Sequence, residues 1–379
     1  MLSYLLPTRN RPERLAATLR AVGNLSAAAH EPVGGAEVII VDDASETPIK
    51  PEAALRNGMP VTVIRRDRWE GASARNAGAR LARGAWIVML DDDSHPVDEA
   101  VVQVLAGADE DVAAIGAEIV LPDGRHEAGG LPEVFVGCGV ALRRQAFLEV
   151  GGYDRSFHYY AEEYDLCARL LLAGWRITHD WRWTVRHERD PHGRDMNLIL
   201  QRLVRNNGYV IQRYAPEAER EAALERVIRR YRDIARRENA IVGCERGLDD
   251  LNATAAAQRR RPMSAALWNR FIGLTSVRTD LPGAASLRDR RVTIVDAGKH
   301  AWVVRRALTE LGAACVDDEG EAEMQIIGTL SPGPMMDAWA QRVREGRAVA
   351  TPWRIPGADV TADASDAYDA LCDSGDLKR

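Results

Sequence analysis

The chain has 379 residues, 46% of them hydrophobic and 28% charged, which suits two or three folded domains and argues against extensive disorder. A net charge of −6 gives no reason to expect nucleic acid as a partner, and no apolar run approaches the roughly 20 residues that cross a bilayer. Five cysteines without CxxC spacing give neither a disulfide framework nor a zinc site; with no leader ahead of the first apolar run, the expected station is the cytosol, with peripheral attachment at the inner membrane face as the alternative.

Residues 2–6 read as a first strand, ended by Pro7-Thr8-Arg9-Asn10, and Arg11-Pro12-Glu13 opens a helix with Leu15, Leu19 and Val22 on its apolar side. Apolar runs at 37–41 and 61–64 end at Asp42-Asp43 and at Arg65-Arg66. Strands alternating with helices imply an α/β fold whose polar loops gather at the carboxyl ends of parallel strands, where such sheets bind ligands. Residues 71–82 form a small-residue helix with Arg75-Asn76 near its start, and 85–90 is a further apolar strand that stops at Asp91, Asp92 and Asp93. Three adjacent carboxylates repel one another, and a divalent cation among them would offset their charge; their oxygens suit Mg²⁺ or Mn²⁺. The alternative is an acidic turn with a helix cap at Asp93 or Ser94.

Taken in order, Pro7-Thr8-Arg9-Asn10, Asp42-Asp43-Ala44-Ser45, Arg75-Asn76 and Asp91-Asp92-Asp93 resemble the nucleotide-sugar-binding half of a GT-A glycosyltransferase of family 2. The resemblance implies that Pro7, Thr8, Arg9 and Asp43, with Asp42 beside it, hold a base and ribose. It places Arg75 beside the nucleotide, Asp91 and Asp92 at the donor, and Asp91 with Asp93 on a metal at the diphosphate.

Residues 98–105 read as a helix and 112–120 as a strand, followed by a turn at 121–124. Residues 134–142 read as a glycine-punctuated strand, then a short helix and the turn Gly151-Gly152-Tyr153-Asp154, which again resembles the family and implies that Gly137 lines the sugar. A helix opens at Ala161-Glu162-Glu163-Tyr164-Asp165, where first-turn acids also have a structural reason to sit. The family has a Glu-Asp pair here whose second acid is the base; this chain has Glu163 instead of aspartate, so Glu162 and Glu163 both stand as candidates, with Asp165 capping or buttressing the site. Residues 181–185 are a final strand leading to His187, which the resemblance makes a third metal ligand beside Asp91 and Asp93.

Residues 195–214 and 217–238 read as amphipathic helices, the first carrying Arg205-Asn206 as family members do. Arg229, Arg230 and Arg237 on the second read as a solvated face, with anionic lipid or an acidic acceptor as the alternative. Residues 253–261 and 278–290 read as linkers around a short helical piece with Trp268 and Phe271. From residue 292 a new strand, the loop 296–300, a helix, strands near 314–316, 324–327 and 348, and a helix at 335–343 resemble half of a Rossmann fold, although Gly298 stands alone where a dinucleotide fingerprint needs three glycines.

The expected organisation is a mostly parallel GT-A domain over 1–194, a helical extension over 195–288, a small Rossmann-like α/β domain over 289–355 and an acidic tail over 356–379. The function the resemblance implies is metal-dependent, inverting transfer from a UDP-, GDP- or dTDP-sugar to a hydroxyl or amine of a small metabolite or glycan. The rival reading is a catalytically inactive sugar-nucleotide-binding or scaffold protein, and homodimerisation is left open.

Overall fold

The computed structural model describes residues 1–189, 195–281 and 287–358. Eight strands, β1 (Leu2–Thr8), β2 (Ala36–Asp42), β3 (Val61–Arg65), β4 (Trp86–Met89), β5 (Ser94–Pro96), β6 (Val112–Val120), β7 (Val140–Arg143) and β8 (Arg176–His187), form one sheet in the order β3-β2-β1-β4-β7-β6-β8-β5. The pairings β1–β2, β1–β4, β2–β3 and β6–β8 are parallel, while β4–β7, β6–β7 and β5–β8 are antiparallel. The sheet is therefore mixed, with four of its seven pairings parallel, and the antiparallel ones lie on the side of β4 away from β1.

Side-chain alternation along the central strands separates two cores. Tyr4, Leu6, Val38, Ile40 and Val88 pack with α1 (Pro12–Val22) and α3 (Ala100–Ala106). Leu5, Ile39, Val41, Ile87 and Met89 face the other way, towards α2 (Arg75–Leu81), α4 (Arg144–Glu149) and α5 (Glu162–Leu172). Burial on both faces explains why these strands read as unbroken apolar runs.

Several boundaries differ from the sequence expectation. Pro7 and Thr8 are the last residues of β1, since β1 stays paired to β2 as far as Thr8–Asp42. The expected strand at 134–142 shortens to Val140–Arg143, with irregular backbone at Gly137 and Gly139. The two pieces anticipated around 175–185 are one strand, β8, whose pairing with β6 shifts register between Gly116 and Glu118. β5 was not anticipated, being three residues long.

Two long helices follow as expected, α6 (Met196–Tyr214) and α7 (Glu217–Arg237), the first capped by Asp195. The next helix, α8 (Ile241–Thr254), occupies residues for which no element was expected. Gly243 and Gly247 put its backbone directly against Asn197 and Gln201 of α6; a Cβ at either position would lie 2.0 or 2.4 Å from a carbonyl oxygen. The helical piece around Trp268 is two short helices, α9 (Ala265–Phe271) and α10 (Leu274–Asp280). α10 takes the start of the expected linker, and residues 282–286 of that linker lie outside the described residues.

The last unit has three parallel strands in the order β10-β9-β11, with β9 (Arg291–Val295), β10 (Ala314–Cys315) and β11 (Met324–Ile327), and two helices, α11 (Ala301–Glu310) and α12 (Pro332–Arg344). The strand expected near residue 348 is a single bridge, Ile326 to Ala350. Of the acidic tail expected over 356–379, residues 359–379 lie outside the described residues, and the Pro356 carbonyl accepts from the Trp181 amide at 2.7 Å. This unit packs on the first sheet: Val292, Leu330, Met335 and Trp353 share one hydrophobic cluster with Phe135 and Trp181. Ser331 and Gly129 exchange hydrogen bonds. His126 meets Asp337 at 2.6 Å and Glu118 at 3.0 Å.

The loop before α5 is held from α6. His158, Tyr160 and Ala161 have φ of 62°, 71° and 63°, a region that costs residues with a side chain. The buried amide of Asn206 donates to the carbonyls of Phe157, Tyr159 and Tyr160 at 2.7–2.9 Å and so fixes the approach to Glu162. Asn206→Ala leaves these carbonyls without that donor and should lower the unfolding free energy by ~2–3 kcal/mol in a denaturant titration; a loss below ~0.5 kcal/mol would show that the loop does not depend on it.

The His126 contacts carry a pH signature. Burial alone would lower its pKa, but Asp337 and Glu118 raise it to about 9, above the ordinary value of 6.5. The stabilisation is complete below the unfolded value and is lost as pH rises from there through about 9. The melting temperature of the wild type should therefore fall more steeply between these pH values than that of His126→Gln; parallel curves would remove the contact from the stability balance.

Candidate active site

After β4 the chain turns tightly. The Asp91 amide donates to Ser94 Oγ, whose hydroxyl donates to the Cys138 carbonyl, each at 2.8 Å. β5 then runs antiparallel to the end of β8 with Ser94 opposite His187, and the Glu188 amide donates to the Asp93 carbonyl at 2.7 Å. This pairing brings Asp93 Oδ1 to 3.3 Å from His187 Nε2. Asp91, Cys138 and His187 also converge, each offering an atom within 4.8 Å of the others.

Cations flank the acids. Arg11 spans Asp92 and Asp93, both at 2.5 Å, and the buried Arg75 pairs with Asp91. Thr8 donates to Asp92 at 2.7 Å. Burial would raise Asp93, but His187 and Arg11 hold its pKa at about 2. Asp92 is deeper, and burial pushes its pKa up to about 7 against Arg11 and Thr8. Burial disfavours a charged His187, yet the neighbouring Cys138 sulfur and the carboxylates of Asp93 and Glu127 push its pKa up; Glu127 lies 2.9 Å from Nδ1.

The donor chemistry fits a divalent cation. Two carboxylates and an imidazole suit Mg²⁺ or Mn²⁺, and the acids are already arranged around a positive partner. Cys138 does not belong to that set: burial raises its thiol to about 11, and sulfur is a poor match for a hard ion. Ligation requires neutral imidazole, so a cation at His187 would displace the proton its carboxylate neighbours favour.

A cavity of about 320 Å³ beside the acids is lined by Pro7, Thr8, Arg9, Asp43, Trp69 and Asp92, among others. Asp43 accepts from the amides of Glu70 and Gly71 at 2.8 and 2.9 Å. Arg9 stacks over the 42%-exposed Trp69 ring at 4.5 Å, an aromatic platform the sequence reading did not pick out although a lone tryptophan in a polar loop was there to see. Asp42 is not at this cavity. Its buried carboxylate accepts from the amides of Ser45 and Ile49 and from Arg65, closing the loop after β2.

A larger cavity of about 1130 Å³ is lined by Asp91, Asp93, His187, Gly137, Glu162 and Glu163, with Arg75 at its wall. Gly137 makes room for Glu163: a Cβ there would lie 2.9 Å from Glu163 Oε1. Burial raises the pKa of both glutamates, that of Glu162 well above the ordinary range, with Glu163 the next contributor; Glu162 Oε2 is buried without a hydrogen-bond partner. Asp165 points away from the cavity. It is fully buried and accepts from Arg169, Arg213 and Tyr214, so it buttresses α5 and does not reach substrate. Arg75 is likewise committed to Asp91, and Asn76 to the backbone of Tyr153. Arg11, Glu127 and Lys299, all lining this cavity, escaped the sequence reading because their contacts join residues far apart in the chain.

Residues 3–151 match the family described as Glycosyl transferase family 2. An uncharacterized glycosyltransferase of Haemophilus influenzae is 28% identical over 199 residues, 45% of this chain and 62% of that protein. A pre-mycofactocin glycosyltransferase of Mycobacterium tuberculosis is 28% identical over 185 residues, 42% of this chain and 39% of that one, so the chain spans less than two thirds of either relative. Among solved structures, a Pyrobaculum calidifontis mannosyltransferase in complex with GDP-Man and Mn²⁺ overlaps 73% of this chain and 80% of its own (TM-score 0.46, 16% identity). GalNAc-T7 with UDP, GalNAc and Mn²⁺ overlaps 68% and 57% (TM-score 0.48, 16% identity). Likeness at that level transfers nothing about ligand or activity. The family match, lying over the segment that supplies β1, Asp43, Arg75 and the acid triplet, makes residues 3–151 a glycosyl transferase family 2 domain.

Proposed function

We infer that this protein is a GT-A glycosyltransferase that moves a sugar from a nucleotide-sugar to a hydroxyl or amine acceptor, with inversion at the anomeric carbon. The observation that carries this is the convergence of Asp91, Asp93 and His187 with Glu162 and Glu163 on one cavity, next to the cavity of Asp43 and Trp69.

In this reading the base stacks on Trp69 beside Arg9, and free lone pairs of Asp43 accept from the base or ribose. Asp91, Asp93 and His187 would hold Mg²⁺ or Mn²⁺, which when bound supplies positive charge for the departing diphosphate. Arg11, held by Asp92 and Asp93, keeps a further positive charge on the same wall.

Glu163 takes the acceptor proton. Of the two glutamates it is the one whose ionised form Lys299 supports, whereas burial and the neighbouring Glu163 both push Glu162 up. A carboxylate raised by burial is a stronger base than one in water, and the enclosed cavity aligns donor and acceptor.

Asp93→Ala should abolish transfer and Mn²⁺-dependent nucleotide binding, as read by nucleoside diphosphate release and thermal stabilisation with UDP, GDP or dTDP; undiminished turnover would remove Asp93 from the site. Glu163→Gln should keep donor binding but slow transfer by roughly 10²–10⁴-fold. Because Glu163 is raised, the wild-type rate should also decline on the acid side at a pH above the ordinary glutamate range, and this limb should vanish in Glu163→Gln. A steep loss in Glu162→Gln with Glu163→Gln active would move the base by one residue. Donor bound but never turned over with any acceptor would favour the inactive sugar-nucleotide-binding protein.

A further inference from the structure

A third cavity, about 480 Å³, adjoins the main one between α7 and the β9–α11 loop. The two share Tyr164, Arg230, Tyr231, Gly298 and Lys299 in their walls, so it adjoins the glutamate end of the site. Its charge is one-sided. Arg226, Arg229, Arg230, Arg237 and Lys299 line it against the single carboxylate of Asp233, which is already paired with Arg236. The arginines of α7 that read in the sequence as a solvated face are thus partly gathered around an enclosed space.

The cations here are incompletely matched. Among the described residues Arg229 and Arg230 make no ion pair, and Nε and Nη2 of Arg226 and Nδ1 of His300 are buried without a hydrogen-bond partner. Arg226 has Glu219 only at 3.7 Å and stacks over Trp302 at 4.1 Å. Trp268, Phe271 and Trp302 supply aromatic walls. Lys299 donates to the Tyr164 hydroxyl and lies 4.5 Å over that ring, next in sequence to Glu163. Burial, with Arg230 nearby, brings its pKa down to about 7 against the pull of Glu163. An anion entering between Lys299 and Arg230 would restore the charge that burial withholds at Lys299 and offset a guanidinium that has no ion pair, beside Arg226, whose Nε and Nη2 lack hydrogen-bond partners.

We propose that the helical extension and the C-terminal α/β unit together select the acceptor, which is an anion: a carboxylate or phosphate docks between Lys299 and Arg230, and an apolar or aromatic body lies against Trp268, Phe271 and Trp302. This rests on the glycosyltransferase reading, since it names that reaction's acceptor. The acceptor's hydroxyl or amine then reaches Glu163 past Tyr164 and Lys299, which line both cavities.

Calorimetric titration of the full chain with phenyl phosphate, benzoate and benzyl alcohol tests it. At least one anionic probe should bind about ten-fold or more tightly than benzyl alcohol, with saturation below roughly 10 mM, and whichever binds tighter distinguishes phosphate from carboxylate. The preference should disappear in the double variant Lys299→Met, Arg230→Met and in Arg230→Met fall at least part of the way, while Lys299→Arg keeps it. Equal binding of the neutral probe, no saturable binding of either anion, or an unchanged preference in Arg230→Met and the double variant would overturn the proposal. Thermal stabilisation by nucleoside diphosphate with Mn²⁺ in the same samples reports the donor end: its absence removes the glycosyltransferase reading, and its presence with failing anionic probes removes this inference alone.

Discussion

Three carboxylates in succession at the mouth of a buried strand repel one another, and the first domain is arranged to relieve that repulsion. Asp91 has Arg75, Asp92 has Arg11 and Thr8, and Asp93 has Arg11 and His187. Each partner comes from a different element: the start of α2, the end of β1, the residue before α1 and the end of β8. The sheet's carboxyl-end rim is where all of these can meet, which is why the acids stand there.

The same requirement explains two features with no purpose of their own. The three-residue β5 is too short to add much to a sheet, yet it fixes the register that puts Asp93 beside His187. Asn206 on α6 holds a run of unfavourable backbone that delivers Glu162 and Glu163 to the opposite wall. Strain kept in place by distant donors is common where side chains must be aimed. The helical extension and the C-terminal unit supply Arg230, Tyr231, Lys299 and Ser331 to a wall of the same cavity.

The elements with strong periodicity were legible in the sequence: β1, β2, β4, β6, α1, α5, α6 and α7 stand close to where apolar spacing and the Pro12 and Asp195 start signals put them. Asp91, Asp93 and His187, singled out in the sequence, line one cavity, but the close group there is Asp91, Cys138 and His187, and Cys138 was not singled out. What escaped depended on tertiary contact. α8 is short of apolar residues because glycines, not large side chains, pack it on α6; its Gly-x-x-x-Gly spacing at 243–247 was the available sign. Asp42 carries the residue type a ligand site would use, and only its neighbours reveal that two backbone amides and Arg65 already occupy it, whereas Asp165, expected to cap or buttress, accepts from Arg169, Arg213 and Tyr214. Lys299 could not be placed at all from sequence, because its meaning comes from Tyr164, 135 residues earlier.

The most direct test is to locate Mn²⁺ by anomalous scattering in crystals of the full chain grown with a nucleoside diphosphate. A manganese peak should stand between the carboxylates of Asp91 and Asp93 and the imidazole of His187, with the base against Trp69. A peak elsewhere, or nucleotide bound at the rim with no metal near these three residues, would contradict the account.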